Sequence, residues 1–193
     1  GTTERSGMSS RVRVLHVDDD PQFTDLARTF LTRHSDRLDV ESVETAAAAR
    51  RSLRSGGVDC VVSDHELAET TGIDLLESVR AEFPELPFVL FTSKGSEAVA
   101  SRAISAGVTD YLQKRRSTDQ FALLANRIEN AVDRVRSDRA AERQSRRLET
   151  LVSNLPGIVY RCRNEMGWPM EYVAGEPERL VGEGTVTIPL AGE

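Results

Sequence analysis

The 193-residue sequence predicts a doubly wound α/β domain with a five-stranded parallel sheet over about residues 11–136. Strand and helix patterns alternate five times in this segment. The strand candidates are mostly continuous apolar runs, which is typical of parallel strands that helices cover on both faces. Each run also stops at a polar or charged residue. Residues 1–10 are polar and carry no apolar pattern, so we expect a disordered tail there.

The first strand and the first helix lie on either side of an acidic turn. The β-branched run at residues 11–17 (RVRVLHV) stops at Asp18. Pro21 suits the first turn of a helix, and Asp20 before it is a candidate N-cap. The following helix carries apolar residues at helical spacing, which predicts one buried face. These residues are Phe23, Leu26, Ala27, Phe30 and Leu31.

The same pattern continues along the chain. The predicted strands lie at residues 38–43, 58–63, 88–91 and 110–113, and the predicted helices at 45–55, 72–82 and 96–106, with a long helix from Asp119. Gly56 and Gly107 follow two of the helices, and Pro84 ends a third.

Polar side chains at the strand ends form the candidate site. In a doubly wound sheet, ligands bind beyond the carboxyl ends of the strands, near the point where strand order reverses. Three carboxylates at this edge would repel one another by about 4 kcal/mol per pair at ~4 Å with an effective dielectric near 20, so we expect a cation such as Mg²⁺. The residues after the strands are Asp18, Asp19, Asp64, Thr92 and Lys114.

This set of side chains suits phosphoryl transfer onto a carboxylate. Asp64 is the candidate nucleophile and would become an acyl phosphate. Lys114 is a mobile positive charge for the phosphoryl group, and Thr92 supplies a hydroxyl donor. Thr92 could then be drawn toward the modified residue, while Tyr111 turns inward to fill the vacated space.

These motifs, with Gly72 eight residues after Asp64, resemble those of response-regulator receiver domains, which have a CheY-like fold of the flavodoxin type. The match covers residues 11–136, about two-thirds of the chain. The Arg-rich, Lys-poor composition suggests a haloarchaeal-like member, although biased base composition of the genome would have the same effect.

The resemblance implies roles for the site residues. Asp18, Asp19, Asp64 and the backbone carbonyl of Glu66 would bind Mg²⁺. Thr92 and Lys114 would contact the phosphoryl group, and Thr92 and Tyr111 would form the switch. The partner would be a histidine kinase or a phosphotransfer protein. Such a domain catalyses only its own phosphorylation and dephosphorylation, so we do not expect an enzyme in the usual sense.

Two positions depart from the family pattern. Receivers commonly have proline where this chain has Ala68 and Arg115. Because a cis bond before a residue other than proline costs about 3–4 kcal/mol, we expect a trans bond between Lys114 and Arg115. The alternative function is a phosphorylation-independent pseudo-receiver that acts as a protein interaction module.

The remainder of the chain is too short for a second complete domain of ordinary size. Residues 137–154 are charged and predict a helical linker. A weak heptad there predicts a homodimer, or equally a solvated helix with incidental apolar residues. Its members are Ala141, Leu148 and Leu155, with Leu151 between them. Residues 148–175 resemble the start of a PAS domain, so we expect a partial PAS-like segment at 155–193.

Composition and motifs argue against other classes of protein. The net charge of −6 disfavours direct nucleic-acid binding. The lack of a long apolar run or a signal peptide predicts a cytoplasmic protein without membrane segments. A haloacid-dehalogenase-type phosphatase would need Thr or Val where Gln22 stands, and the acidic loop after the first strand would repel the phosphate of a flavodoxin cofactor.

Three histidines receive structural interpretations. We expect His16 to be a strand residue and not a ligand, and His34 to lie on the surface. His65 and Glu66 flank the candidate phosphoacceptor and could tune hydrolysis of the phosphoryl group, although the sequence favours the interpretation that they are exposed loop residues.

Overall fold

A computed structural model describes residues 11–93, 95–153, 158–162 and 170–175. Within these ranges the chain divides into two units after Ser137. The described part contains no helix with the length and apolar character of a transmembrane span.

The first unit alternates strands and helices as the sequence predicts. The strands are β1 Val12–Val17, β2 Leu38–Val43, β3 Cys60–Ser63, β4 Phe88–Thr92 and β5 Asp110–Gln113. The helices are α1 Pro21–His34, α2 Ala46–Ser55, α3 Gly72–Glu82, α4 Glu97–Ser105 and α5 Asp119–Ser153.

The five strands form one parallel sheet in the order β2-β1-β3-β4-β5. Strand order reverses between β1, which pairs with β2, and β3, which pairs with β1 on its other side. Val17 is in register with Ser63, so the next residues, Asp18 and Asp64, leave neighbouring strands at the same edge. The doubly wound prediction is confirmed, and this switch point is where such sheets bind ligands.

Two apolar cores cover the two faces of the sheet. Alternate residues of β1 point to opposite faces, so Val14 packs with α1 and α5 while Leu15 packs with α2 and α3. Both residues are buried. Because the central strands are buried on both sides, their sequences are continuous apolar runs and not alternating ones.

Local capping interactions fix where the helices begin. The side chain of Asp20 accepts hydrogen bonds from the N–H groups of Gln22 and Phe23, which confirms Asp20 as an N-cap. Thr71 and Asp74 form a reciprocal capping box at the start of α3. The loop after Asp64 therefore leads directly into a well-capped helix.

β3 begins two residues later than the sequence predicts. Asp59 does not extend the strand, because its carboxylate accepts a hydrogen bond from the N–H of Arg13 at 2.9 Å and its own N–H donates to the carbonyl of Arg13 at 2.8 Å. This paired contact docks the loop onto β1, and β3 starts at Cys60.

The second unit contains the end of α5 and a two-stranded antiparallel sheet. Its strands are β6 Ile158–Cys162 and β7 Met170–Gly175. The predicted tail at residues 1–10 and most of the predicted PAS-like segment, residues 155–157, 163–169 and 176–193, lie outside the described residues.

Candidate functional site

Two buried aspartates form the floor of the site. Asp18 is 1% exposed and Asp64 is 8% exposed. Their backbones are fixed by the sheet, since Asp18 N–H donates to the Val43 carbonyl at 3.1 Å and Asp64 N–H donates to the Val17 carbonyl at 2.9 Å. The main chain of neither residue can leave the edge of the sheet without breaking one of these bonds.

Lys114 bridges the two carboxylates. Its ammonium nitrogen lies 2.6 Å from Oδ2 of Asp18 and 2.7 Å from Oδ2 of Asp64. The N–H of Lys114 donates to the Thr92 carbonyl at 2.8 Å, which continues the pairing of β5 with β4. Residues from three strand ends therefore meet at one cationic group.

The electrostatics of the floor demand positive charge. Burial raises the pKa of Asp18 above its usual value, and the hydrogen bond and charge of Lys114 oppose that rise. An open cleft of about 520 Å³ lies above the bridge. It is lined by five acidic residues, Asp18, Asp19, Asp20, Asp64 and Glu66, together with Phe23, Ser93, Lys114, Arg115 and Arg116.

The predicted switch residues, Thr92 and Tyr111, are not among the residues that line the cleft. Thr92 is fully buried at the end of β4. Tyr111 is partly buried and packs with the core formed by α2, α3 and α4. Its hydroxyl is buried without a hydrogen-bond partner in the described structure. A Cβ at Gly95 would lie only 2.4 Å from that hydroxyl, so residue 95 must be small to allow this arrangement.

The carboxylates are not arranged as a metal centre in this structure. Among the described residues, no group of three or more His, Cys, Asp or Glu side chains is placed to hold a metal ion. The ammonium group of Lys114 lies between Asp18 and Asp64. The lysine itself compensates the carboxylate charge here.

Residues 14–126, more than half of the chain, match the family model for the response regulator receiver domain. The chain belongs to this receiver family. It is therefore a signalling domain of the two-component type, as the motif resemblance predicts.

The curated relatives of this receiver are much longer proteins. PilR, a response regulator protein of Pseudomonas aeruginosa, is 32% identical over 105 residues, which are 54% of this chain and 23% of PilR. The bacterioopsin transcriptional activator of Halobacterium salinarum is 29% identical over 190 residues, 93% of this chain and 28% of that protein. The chain thus spans about a quarter of the length of each, and the haloarchaeal resemblance is supported in part.

A solved structure confirms the fold. The crystal structure of a CheY-like receiver domain protein from Methanospirillum hungatei JF-1 superposes with a TM-score of 0.60 at 22% sequence identity. The match covers 67% of this chain and 99% of that chain.

The loop after Lys114 differs from the proline-containing pattern of the family. None of the peptide bonds in the described residues is cis, which confirms the trans prediction for Lys114–Arg115. The N–H of Arg115 donates to Oε1 of Gln120 at 2.6 Å. Proline has no N–H and could not make this bond, so the receiver uses an α5 side chain to hold the loop.

Sequence reasoning missed the cleft roles of Phe23, Arg115 and Arg116. Phe23 belongs to the apolar stripe that predicts the buried face of α1. Helical spacing alone does not distinguish a core residue from one at the rim of a cleft. Arg115 and Arg116 follow directly after Lys114, so their proximity to the site was the available signal.

His16 is a buried strand residue of the receiver, as predicted, and His34 is exposed. In the described structure neither ring nitrogen of His16 has a hydrogen-bond partner, and Nε2 lies 4.0 Å from Oδ2 of Asp18. Burial, with the nearby charge of Lys114, lowers the pKa of His16 from 6.5 to about 3. The ring is therefore neutral at ordinary pH.

We expect His16 to make the receiver sensitive to acid. Because its pKa is lower in the folded state, the unfolded state binds the extra proton first, and the stability that His16 contributes above pH 6.5 is lost as pH falls toward about 3. His16→Leu should flatten the fall in the free energy of unfolding between pH 6.5 and 4 by up to about 1.4 kcal/mol per pH unit. Urea denaturation in metal-free buffer at several pH values measures this slope.

The raised pKa of Asp18 changes the free energy of unfolding in the opposite direction. The stability that protonated Asp18 contributes at low pH is lost as pH rises above 3.8. His34→Gln changes an exposed histidine and serves as the control, with the wild-type slope expected. Equal slopes in wild type and His16→Leu would contradict the prediction.

Proposed function

We propose that this receiver accepts a phosphoryl group on Asp64 in a Mg²⁺-dependent reaction, with a histidine kinase or a phosphotransfer protein as the donor. The observation that supports this most is the bridge from Lys114 to Asp18 and Asp64 at the switch point of the sheet. Two carboxylates and one cation meet at the base of an open cleft, which is the set of groups that the proposed transfer needs.

The geometry of Asp64 favours one attacking oxygen. Its Oδ1 accepts a hydrogen bond from the N–H of His65, whereas Oδ2 faces Lys114. In the proposed step Oδ2 attacks phosphorus, the bond from phosphorus to the donor imidazole breaks, and the imidazole takes up a proton. Lys114 would then contact a phosphoryl oxygen and balance its charge.

The residues of the cleft fit Mg²⁺ by their chemistry. Asp18, Asp19 and Asp64 with the backbone carbonyl of Glu66 offer hard oxygen donors, and these four residues line one cleft. When bound, Mg²⁺ would neutralise charge on the transferring phosphoryl group. The role of the protein is to hold the acids together and to keep Lys114 within reach.

We also propose that Thr92 and Tyr111 transmit the modification. The buried hydroxyl of Tyr111 has no hydrogen-bond partner in the described structure, so only packing holds the ring in place. A shift of Thr92 toward a phosphorylated Asp64 would change the space against which Tyr111 packs. His65 and Glu66 flank the reacting group and could tune its hydrolysis.

The proposed organisation is a receiver at residues 11–136, a helical linker at 137–154 and a partial PAS-like segment at 155–193. The continuous helix α5 and the antiparallel pair β6–β7 support this division. Pairing of two linkers in a homodimer is supported by Leu148, which is 57% exposed, and by the exposed Ala141. The side chains of Leu151 and Leu155 lie outside the described residues.

The test is phosphorylation by acetyl phosphate, followed by intact mass. Wild type with Mg²⁺ should gain one phosphoryl group, and omission of Mg²⁺ or the substitution Asp64→Asn should remove the gain. Asp39→Asn changes an exposed aspartate of β2 and should behave as wild type. If wild type gains no adduct, the proposal fails and the pseudo-receiver is favoured instead.

A further inference from the structure

The ammonium group of Lys114 also contacts aromatic rings. Its nitrogen lies 4.0 Å from the centre of the Phe23 ring and 6.0 Å from the centre of the Phe91 ring. A cation within about 6 Å of a ring centre is attracted by the negative face of the ring. Lys114 is thus held by two carboxylates and by the face of Phe23.

The Phe23 ring is itself fixed in place. Its centre lies 5.9 Å from that of Phe91 and 6.0 Å from that of Phe121, and both of these rings are buried. Its backbone N–H donates to the N-cap Asp20 at 3.1 Å, in the first turn of α1. The ring therefore forms a rigid wall of the cleft.

The number of donors on the lysine explains why a ring face suits this position. An ammonium group has three N–H donors, and the carboxylates of Asp18 and Asp64 accept from two of them. The electron-rich face of Phe23 can accept the third N–H of the ammonium group, whereas an aliphatic side chain has no such acceptor. The Lys114 side chain is only 11% exposed, so water compensates poorly for loss of the ring.

We propose that Phe23 is a positioning residue, whose ring face keeps the Lys114 ammonium over the carboxylate of Asp64. This inference rests on the proposed function of Lys114 in phosphoryl transfer. Asp64 changes charge and shape when it is modified, but the Phe23 ring does not react. The ring is thus a contact of Lys114 whose charge and shape stay the same when Asp64 is modified.

The test is graded fluorination of the ring. Phenylalanine with one, two or three fluorine atoms is incorporated at position 23 of the full chain, which weakens the negative face with little change in shape. The rate of Asp64 phosphorylation by acetyl phosphate should fall in step with fluorine number, by about fivefold over the series. A role in packing alone would not produce this gradient. Phe23→Leu should be at least as slow, and Phe23→Tyr should recover most of the rate.

A second measurement does not depend on phosphorylation. The NMR shifts of the Lys114 side-chain protons in the resting protein should show the upfield displacement expected for protons over a ring face. Phe23→Leu should remove most of it and leave only the smaller effect of the more distant Phe91 ring. Fluorination at Phe121, a buried ring of the same cluster that makes no described contact with Lys114, is the control for general effects on the core.

The outcomes separate the two proposals. If the adduct forms at the same rate in wild type and in every Phe23 variant, the proposed role of Phe23 is wrong, while phosphorylation of Asp64 is still supported. If wild type forms no adduct, the proposed function fails. The NMR shifts of Lys114 then test by themselves whether its ammonium group lies over the Phe23 ring. Shifts that do not respond to Phe23→Leu would overturn the inference in either case.

Discussion

Lys114→Met is expected to destabilise the metal-free receiver by about 3–5 kcal/mol. The substitution removes the cation that pairs with two buried carboxylates, so Asp18 and Asp64 lose their compensating charge. Without the ammonium group, the carboxyl groups of Asp18 and Asp64 would face each other across the space that it fills. Methionine has a similar volume and a similar unbranched shape, so the loss reports charge more than packing.

The loss should depend on pH and on metal. Burial already raises the pKa of Asp18 and Lys114 opposes this, so without Lys114 the carboxyl takes up a proton more readily as pH falls. The difference in unfolding free energy between wild type and Lys114→Met should therefore shrink toward pH 4. Mg²⁺ should stabilise the variant more than wild type, because it supplies the missing positive charge.

Phosphorylation provides the second measurement on this variant. Loss of a positioned cation at the reacting group should slow acetyl phosphate transfer to Asp64 by about 10²-fold or more. Lys114→Arg keeps the charge and should recover most of the stability but less of the rate, because a planar guanidinium does not replace a compact ammonium group. If the Lys114→Met protein is as stable as wild type without metal, Lys114 does not compensate the charge of Asp18 and Asp64, and the prediction is wrong.

The fold and the floor of the site could be predicted from sequence because both follow from the strand ends. Continuous apolar runs fixed the positions of buried parallel strands, and parallel strands bring their carboxyl ends to one edge. Asp18, Asp64 and Lys114 follow three of those strands, and the structure places them in direct contact. The capping role of Asp20 was also readable, because it depends on adjacent residues only.

Contacts between distant side chains could not be predicted in the same way. The ring of Phe23 faces Lys114 because α1 packs against the strands at that end of the sheet, which helical spacing does not specify. The shortening of β3 depends on Asp59 meeting Arg13, 46 residues away. Gln120 holds the N–H of Arg115 only because α5 starts beside that loop. Each of these contacts needs tertiary coordinates.

Gly72 explains part of the motif spacing in physical terms. Its N–H donates to the His65 carbonyl at 2.7 Å, which folds the loop after Asp64 back onto the start of α3. A Cβ at this position would lie 2.1 Å from the backbone carbonyl oxygen of Asp64 and 2.9 Å from Cδ1 of Leu90. The carbonyl belongs to Asp64, the proposed phosphoacceptor, so it cannot move without displacing that residue.

We therefore expect Gly72→Ala to destabilise the receiver by about 3 kcal/mol, since overpacking against backbone cannot be relieved by rotating a side chain. Displacement of Asp64 by about 1 Å should also slow phosphorylation by about 10²-fold. Urea denaturation and the intact-mass assay measure the two effects on one protein preparation.

Gly56→Ala separates a steric clash from a general effect of replacing glycine. Gly56 has a φ of 82°, which disfavours alanine, but a Cβ there would meet nothing within 4 Å. This control should lose about 1–2 kcal/mol through backbone strain while the phosphorylation rate stays at the wild-type value, because Gly56 ends α2 and does not line the cleft. A Gly72→Ala protein that is as stable as Gly56→Ala and reacts at the wild-type rate would contradict this prediction. It would show that the position of Asp64 does not depend on its close contact with Gly72.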